Sequence, residues 1–302
     1  MKILITGGTG FVGSFLTARL VRDGHEVTIL IRSEDEAKMG SRDALFLVGN
    51  PTAPGRWQEK IGNFDAIINL AGASIFSRWT VEQKRIIRES RISTTKNLVE
   101  SIVAVPGRAV TLLSTSAVGY YGFHGDEELA EEATPGDDFL ALVARDWEAE
   151  ALKARQKGAR VCITRFGIVL GTNGGALGQM LPLFRMFLGG PIGSGRQWFS
   201  WIHAQDLVEA FCFLLNHKEL SGPFNVCSPR PVTNRDLARA IGKALHRPSL
   251  LPAPGFMIRL MLGEFGSVIL QGQRVVPRRL LENGFVFQHP EIDGAIASIV
   301  AK

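Results

Sequence analysis

Gly7, Gly10 and Gly13 recur every third residue near the start of the chain, between a short apolar run, Lys2–Thr6, and a helical apolar pattern, Phe11–Arg22. In a strand–turn–helix unit the first glycine permits the tight turn. The second lets backbone approach a pyrophosphate, and the third lets the helix pack closely on the strand. The helix N-terminus then offers unpaired N–H groups and a positive dipole end to phosphates. A second strand pattern, Glu26–Ile31, follows, which is the context that such a site requires. Arg32 and Ser33 stand at its end, with no carboxylate before Glu34. A bare ribose asks for Asp or Glu there, whereas a 2′-phosphate favours Arg. Arg32 can stack on adenine and pair with that phosphate, and Ser33 can add a hydrogen bond. NADP(H) is therefore expected ahead of NAD; the plainer alternative is a tight turn followed by a solvated arginine.

A second group of hydroxyls lies further along. Ser114, Ser116 and the only two tyrosines, Tyr120 and Tyr121, follow the strand pattern 109–114. Ser116 can orient a carbonyl or alcohol, and Tyr121 or Tyr120 can supply a proton; a tyrosine before glycine in such a turn also serves as packing. His203 has the right ordinary pKa for proton transfer, about 6.5. Its neighbours Trp201 and Ile202 favour a structural histidine instead. Arg91 suits a ligand carboxylate or Glu148, the latter being favoured. Cys162, Cys212 and Cys227 are widely spaced and show no metal-type pairing, so no metal site is expected.

These residues need a scaffold that brings strand ends together. Strand patterns at Lys2–Thr6, Glu26–Ile31, 44–48, 66–70, 109–114 and 160–165 alternate with helical stretches, the longest at 81–104 and 138–157. Such alternation predicts an α/β fold: a Rossmann-type doubly wound parallel sheet with ligand at the carboxyl ends of the strands. Glycine-rich stretches at 171–178 and 189–195 and a break at 248–255 loosen the pattern afterwards. They predict a smaller C-terminal α+β lobe that holds a small-molecule substrate. The expected division is 1–170, with a returning segment near 196–228, for the dinucleotide, and 171–195 with 229–302 for the lobe.

No apolar run reaches the roughly 18 residues of a membrane span, and glycines interrupt the first strand before a signal-peptide core can form. A cytoplasmic location is expected. The net charge of +5 lies wholly in the last quarter: residues 230–302 hold ten of the 34 basic and five of the 29 acidic residues, leaving 24 of each before them. Without a dense basic run, a solvated face is favoured over nucleic-acid binding. The apolar residues of 256–270 suit a packed lobe or a homodimer face.

Taken together, the motifs resemble those of the extended short-chain dehydrogenases/reductases, the NAD(P)-dependent epimerases and dehydratases. Thr6, Gly7, Gly8, Thr9, Gly10, Phe11, Val12 and Gly13 match the cofactor motif; Asn69, Leu70, Ala71 and Gly72 match the fourth-strand motif. The run from Ser114 to Gly122 is similar to the serine motif with one residue more than usual. Ser90-Arg91, Trp147-Glu148, the run from Arg165 to Gly171, Ser200 to His203, and Gln271 to Pro277 narrow the resemblance. They are marks of an atypical epimerase subgroup with a C-terminal domain of unknown function. The resemblance implies cofactor contacts at Leu70, Ala71, Gly72 and Ser114, and at Arg165, for which a structural role is equally compatible.

One departure bears on chemistry. Family members carry Tyr-x-x-x-Lys on the helix after the serine motif, and 138–148 contains neither residue. If Arg145 stands for the lysine, Ala141 stands for the tyrosine; one residue on, the pair is Asp146 and Leu142. Arginine cannot shuttle a proton near neutrality. Three readings follow: an atypical reductase or epimerase-like oxidoreductase using Ser116 and Tyr121, a non-catalytic NADP(H) sensor or partner-binding protein, and a nucleic-acid-binding or assembly scaffold.

Overall fold

The computed structural model describes residues 1–38, 40, 41, 43–103, 109–172 and 174–301. Its strands are β1 (Lys2–Thr6), β2 (Glu26–Ile31), β3 (Leu45–Val48), β4 (Ala66–Asn69), β5 (Thr111–Ala117), β6 (Glu128–Leu129), β7 (Arg160–Phe166), β8 (Ile168–Leu170), β9 (Trp198–Phe199), β10 (Trp201–His203), β11 (Gly222–Val226), β12 (Val232–Thr233) and β13 (Arg274–Val275). Its helices are α1 (Phe11–Arg22), α2 (Glu34–Ala37), α3 (Val81–Ser101), α4 (Phe139–Leu152), α5 (Gly175–Arg185), α6 (Ala204–Asn216), α7 (Asn234–Leu245), α8 (Gly255–Leu262), α9 (Glu264–Ile269), α10 (Arg278–Glu282) and α11 (Ile292–Val300).

Seven of the strands form one parallel sheet in the order β11-β7-β5-β4-β1-β2-β3. The strand direction in side-chain space explains its two covered faces, because successive residues point to opposite sides. Ile3 and Ile5 join a core with Leu16, Leu20, Leu207 and Phe211, from α1 and α6. Leu4, between them, joins a second core with Leu98, Val99 and Ala151, from α3 and α4. The sheet is thus the doubly wound one that the alternating pattern predicts. The winding reverses between β1 and β4, which opens a crevice at their carboxyl ends. A further core brings together Leu177 and Phe184 of α5, Leu237 and Ile241 of α7 and Ile292 and Ile296 of α11 with Leu170 and Trp201 of β8 and β10.

Several boundaries differ from the sequence expectations. The helix expected at 81–104 ends at Ser101, and Ala104 lies outside the described residues. The stretch 138–157 is α4, capped by Asp138, followed by a 3-10 turn. The glycine-rich stretch 171–178 becomes helical from Gly175, and its Asn173 lies outside the described residues. β11 had no strand signal, since Gly222 and Pro223 open it; an edge strand tolerates the missing proline N–H. Among the described residues no helix is long and apolar enough to cross a membrane.

The glycine turn sets how closely α1 approaches β1. A methyl group at Gly13 would lie 2.2 Å from the Gly7 carbonyl oxygen and 2.6 Å from the Gly8 Cα. Gly13→Ala is therefore expected to cost about 1–3 kcal/mol through overpacking. Gly178→Ala, in α5 with nothing within 4 Å of the added methyl, is expected to gain about 0.5–1 kcal/mol of helix propensity. Thermal unfolding of both variants checks this; equal midpoints would show that α1 does not press on the turn.

Candidate functional site

The crevice is built from the ends of β1, β2, β4 and β5. Thr6 on β1, Asn69 on β4 and Ser114 on β5 lie in register side by side. The Thr6 hydroxyl donates to Asn69 Oδ1 (2.8 Å), and the Asn69 amide donates to Thr95 Oγ1 (2.8 Å) and more distantly to Ser114 Oγ (3.4 Å). The Leu70 N–H reaches the Thr6 carbonyl at 3.1 Å and the Ala71 N–H reaches its hydroxyl at 3.3 Å. Those bonds lay Leu70 and Ala71 beside Gly7, whose φ of +70° suits glycine. The glycine turn and the Leu70-Ala71 backbone thereby meet at the carboxyl ends of β1 and β4.

The crevice fits a diphosphate. Gly10 is the N-cap of α1 and brings no side chain to cap it, and the first turn carries no acidic residue. The N–H groups of that turn have no acceptor within the helix, so they and the dipole favour an anion. Phe11 contributes only backbone here. Its ring lies against the glycine-rich stretch 171–178: a Cβ on Gly174 would be 2.6 Å from the ring, and one on Gly175 2.8 Å. Gly174 and Gly175 are needed for that close approach.

Arg32 follows β2 with its side chain 71% exposed. Its Nε and Nη2 each lie 2.8 Å from Glu36 Oε1, and Glu36 also accepts from the Arg32 N–H (3.1 Å). This pairing went unread in the sequence. An exposed i,i+4 pair of this kind contributes little, so a phosphate can displace it. Ser33 is the N-cap of α2, and its side chain makes no capping bond.

The serine motif has a different environment. Ser116 is buried, and its hydroxyl donates to Glu148 Oε1 at 2.6 Å. The same carboxylate receives Arg165 Nε and Nη2, each at 2.8 Å. Arg165 Nη1 continues to the Tyr121 hydroxyl (2.8 Å) and the Glu131 carbonyl (3.1 Å). The Tyr120 ring centroid lies 3.5 Å from the Arg165 guanidinium carbon. The Tyr121 hydroxyl donates to Asn225 Oδ1 on β11 at 2.7 Å. Tyr121 is fully enclosed, and burial pushes its phenol above the usual range. That placement argues against Tyr121 as a proton donor and against Ser116 as a group facing substrate. Arg165 is engaged inside the protein by the same network, which favours its structural role over a nicotinamide contact.

The face of α4 that meets these elements explains the missing pair. Glu148 reaches Ser116, and a Cβ on Gly119 would lie 3.6 Å from the Leu140 Cβ. Positions 140, 144 and 148 form that stripe, and Leu140 and Ala144 precede Glu148 on it. Arg145 is 53% exposed, and Asp146 binds Arg88 of α3 at 2.8 Å. Neither register weighed from the sequence brings a titratable pair inward.

The remaining candidates are held by local contacts. His203 caps α6 by accepting from the Gln205 N–H (3.1 Å) and stacks on His289 at 3.9 Å. Asp206 receives the N–H groups of Gln288 (2.7 Å) and His289 (2.9 Å). The three cysteines are buried free thiols. Asn225 and Glu131 carried no signal in the sequence, because only the fold brings β11 and the segment after the serine motif to Arg165.

Removing one member of the Glu148–Arg165 pair strands a buried charge, whereas replacing both with apolar groups does not. Glu148→Ala and Arg165→Ala are each expected to lose about 3–5 kcal/mol, and Glu148→Leu with Arg165→Met much less. Urea midpoints test this, and additive losses would sink it. Burial raises the Glu131 pKa above its ordinary 4.5, backbone N–H groups opposing. The native state then holds that proton more tightly than the unfolded chain, so the group's stabilisation is present below pH 4.5 and lost as pH rises through the raised value. Wild type should therefore lose stability relative to Glu131→Gln as pH rises above about 4.5, read from urea midpoints across pH; parallel curves would refute it.

Residues 3–227 match the model of the NAD dependent epimerase/dehydratase family, and 253–299 match DUF1731, a domain of unknown function. An Arabidopsis thaliana relative, "Epimerase family protein SDR39U1 homolog, chloroplastic", is 40% identical, with 99% of this chain and 87% of the relative covered. Epimerase family protein YfhF of Bacillus subtilis is 37% identical, with 100% and 98% covered. The crystal structure of human epimerase family protein SDR39U1 (isoform2) with NADPH has a TM-score of 0.88 at 33% identity, both chains being covered completely. A Thermus thermophilus UDP-glucose 4-epimerase complex with NAD shares the fold, with a TM-score of 0.79 at 19% identity over 100% of this chain and 98% of the other. A family match across the crevice and relatives of this identity along nearly the whole length establish that the chain belongs to the NAD-dependent epimerase/dehydratase family.

Proposed function

We propose that the chain binds NADP(H) across the carboxyl ends of β1, β2 and β4 and acts as an atypical reductase or epimerase-like oxidoreductase. Its substrate is a small carbonyl or sugar-type molecule held beneath the lobe formed by 171–195 and 229–302. The observation that carries this reading is the uncapped, acid-free N-terminus of α1 behind the Gly7–Gly10 turn, with Arg32 at the end of the neighbouring strand. The NADPH in the human relative's crystal structure supports the choice of cofactor. When bound, the dinucleotide supplies hydride chemistry. This chain's own residues bind and orient it: the α1 N–H groups receive the diphosphate, Arg32 and Ser33 receive the 2′-phosphate, and Ala71 and Gly72 line the nicotinamide side, backed by the enclosed Ser114.

A second reading, cofactor binding without turnover, rests on the stripe of Leu140 and Ala144, which offers no proton carrier. Of the two phenols, Tyr121 is enclosed and Tyr120 is part-exposed, so Tyr120 is the phenol left for an enzyme of this class.

Titration with NADPH and NADH, followed by nicotinamide fluorescence, tests the cofactor assignment. Arg32→Ala should weaken NADPH binding about 10–100-fold, the worth of a charge-assisted hydrogen bond, and leave NADH nearly unchanged. Glu36→Gln should leave NADPH binding equal or tighter. Equal loss for both cofactors in Arg32→Ala would defeat the assignment. NADPH oxidation with carbonyl compounds, abolished by Tyr120→Phe, favours the enzyme; silent binding across a broad panel favours the second reading.

A further inference from the structure

α8 is an apolar helix of which no residue is buried. Its sequence, Gly255–Leu262, carries a single charged side chain, Arg259. Ile258 and Leu262, four residues apart, form the half-covered stripe that meets α9; a Cβ on Gly266 would lie 2.5 Å from the Ile258 carbonyl oxygen. α9 is itself seated on the main body, with the Phe265 ring centroid 5.4 Å from that of Trp79. The other faces of α8 carry Phe256, Met257, Leu260 and Met261 into solvent, Leu260 at 75% and Phe256 at 71% exposure. A helix that is apolar on faces that no element covers marks an interaction surface.

The neighbouring turns extend that surface. α5 ends in a Schellman turn, in which the Leu188 N–H donates to the Leu183 carbonyl (2.9 Å) and the Phe187 N–H to that of Phe184 (3.0 Å). Such a turn needs one residue in the left-handed region, ordinarily a glycine. Phe187 occupies it, with φ +63°. Strain of this kind gathers at functional positions, and here it presents an exposed ring between exposed Met186 and Leu188. The chain at 250–253 runs alongside: a Cβ on Gly190 would meet the Leu251 carbonyl, and Ile192 bridges to Ala253. Leu250 is 82% exposed. α8 then starts beside Gly193, whose Cα lies 3.9 Å from a Cβ placed on Gly255. One apolar surface thus runs from the end of α5 to α8.

Charge selects the partner. Residues 183–188 and 247–262 contain Arg185, Arg247 and Arg259 and neither Asp nor Glu. Among the described residues Arg185 and Arg259 pair with no carboxylate, and the Arg247 guanidinium carbon lies over the Phe187 ring, 4.5 Å from its centroid. Two copies joined through this face would set arginine against arginine. Apolar side chains interleaved with cations match the surface of an anionic bilayer instead, whose acyl region takes the first and whose headgroups take the second. We propose that the chain docks on anionic phospholipid membranes through α8, the Phe187 turn and Leu250-Leu251, lying on the bilayer without spanning it.

The full chain would be sedimented with vesicles of phosphatidylcholine alone and of phosphatidylcholine and phosphatidylglycerol in equal parts, at low and raised salt. Wild type should bind the anionic vesicles and bind about tenfold or more weakly to the neutral ones, with raised salt acting in the same direction. Leu260→Glu should weaken binding about tenfold or more, the worth of one inserted apolar side chain. Phe187→Gly should also weaken it while its thermal midpoint stays level or rises, because glycine accepts the positive φ; that separates docking from folding. Arg185→Gln combined with Arg259→Gln should flatten the salt dependence. A wild type that ignores anionic vesicles overturns the proposal, as does equal binding of wild type and all variants to both kinds. A wild-type dimer in sedimentation velocity that Leu260→Glu splits also overturns it, since a second copy would then cover this face.

Discussion

The bidentate pair between Arg165 and Glu148 is the constraint on which much of the molecule depends. Both groups are buried, and buried charges are tolerated only when each is paired and its remaining donors and acceptors are met. Meeting them recruits Ser116 from β5, Tyr121 and the Glu131 carbonyl from the following segment, and, through Tyr121, Asn225 from β11. Four elements of the sheet side are thereby tied to α4. The same satisfaction has a chemical consequence. A serine and a phenol that the sequence offers as candidate catalytic groups are used here as hydrogen-bond partners of an ion pair.

The crevice is organised by smaller groups. Thr6, Asn69 and Thr95 link three elements through hydroxyl and amide hydrogen bonds, and the Trp147 indole donates to the same Thr95 hydroxyl at 2.8 Å. That chain runs from the cofactor turn to α4, so the two halves of the site share a buried polar connection. On the other side, the Phe11 ring seats the Gly174-Gly175 turn of the lobe. The residue whose N–H opens α1 is thus also the one whose ring packs on that glycine turn.

Legibility in the sequence followed the range of the interactions. The glycine spacing, the strand–helix alternation and the Arg32-Ser33 end of β2 are local patterns set by backbone sterics and hydrophobic periodicity, and they were readable directly. β11 was not, because Pro223 and Gly222 hide a strand that is stable only as an edge beside β7. Glu36 beside Arg32 was equally hidden: the acid lies four residues on, and only the turn of α2 directs it back.

By itself the sequence determined the sheet class, the phosphate-binding turn and the absence of a Tyr-x-x-x-Lys pair, since each depends on residue type at short spacing. Only the tertiary structure decided what replaced that pair. Ser116, Tyr121, Glu131, Glu148, Arg165 and Asn225 are separated by up to 109 positions (116 to 225), and their pairing follows from burial, which forces every polar group in the interior to find a partner. The tertiary structure also left Arg91 without the acid that its sequence neighbourhood promised, because Glu148 has one carboxylate and Arg165 occupies it on both oxygens.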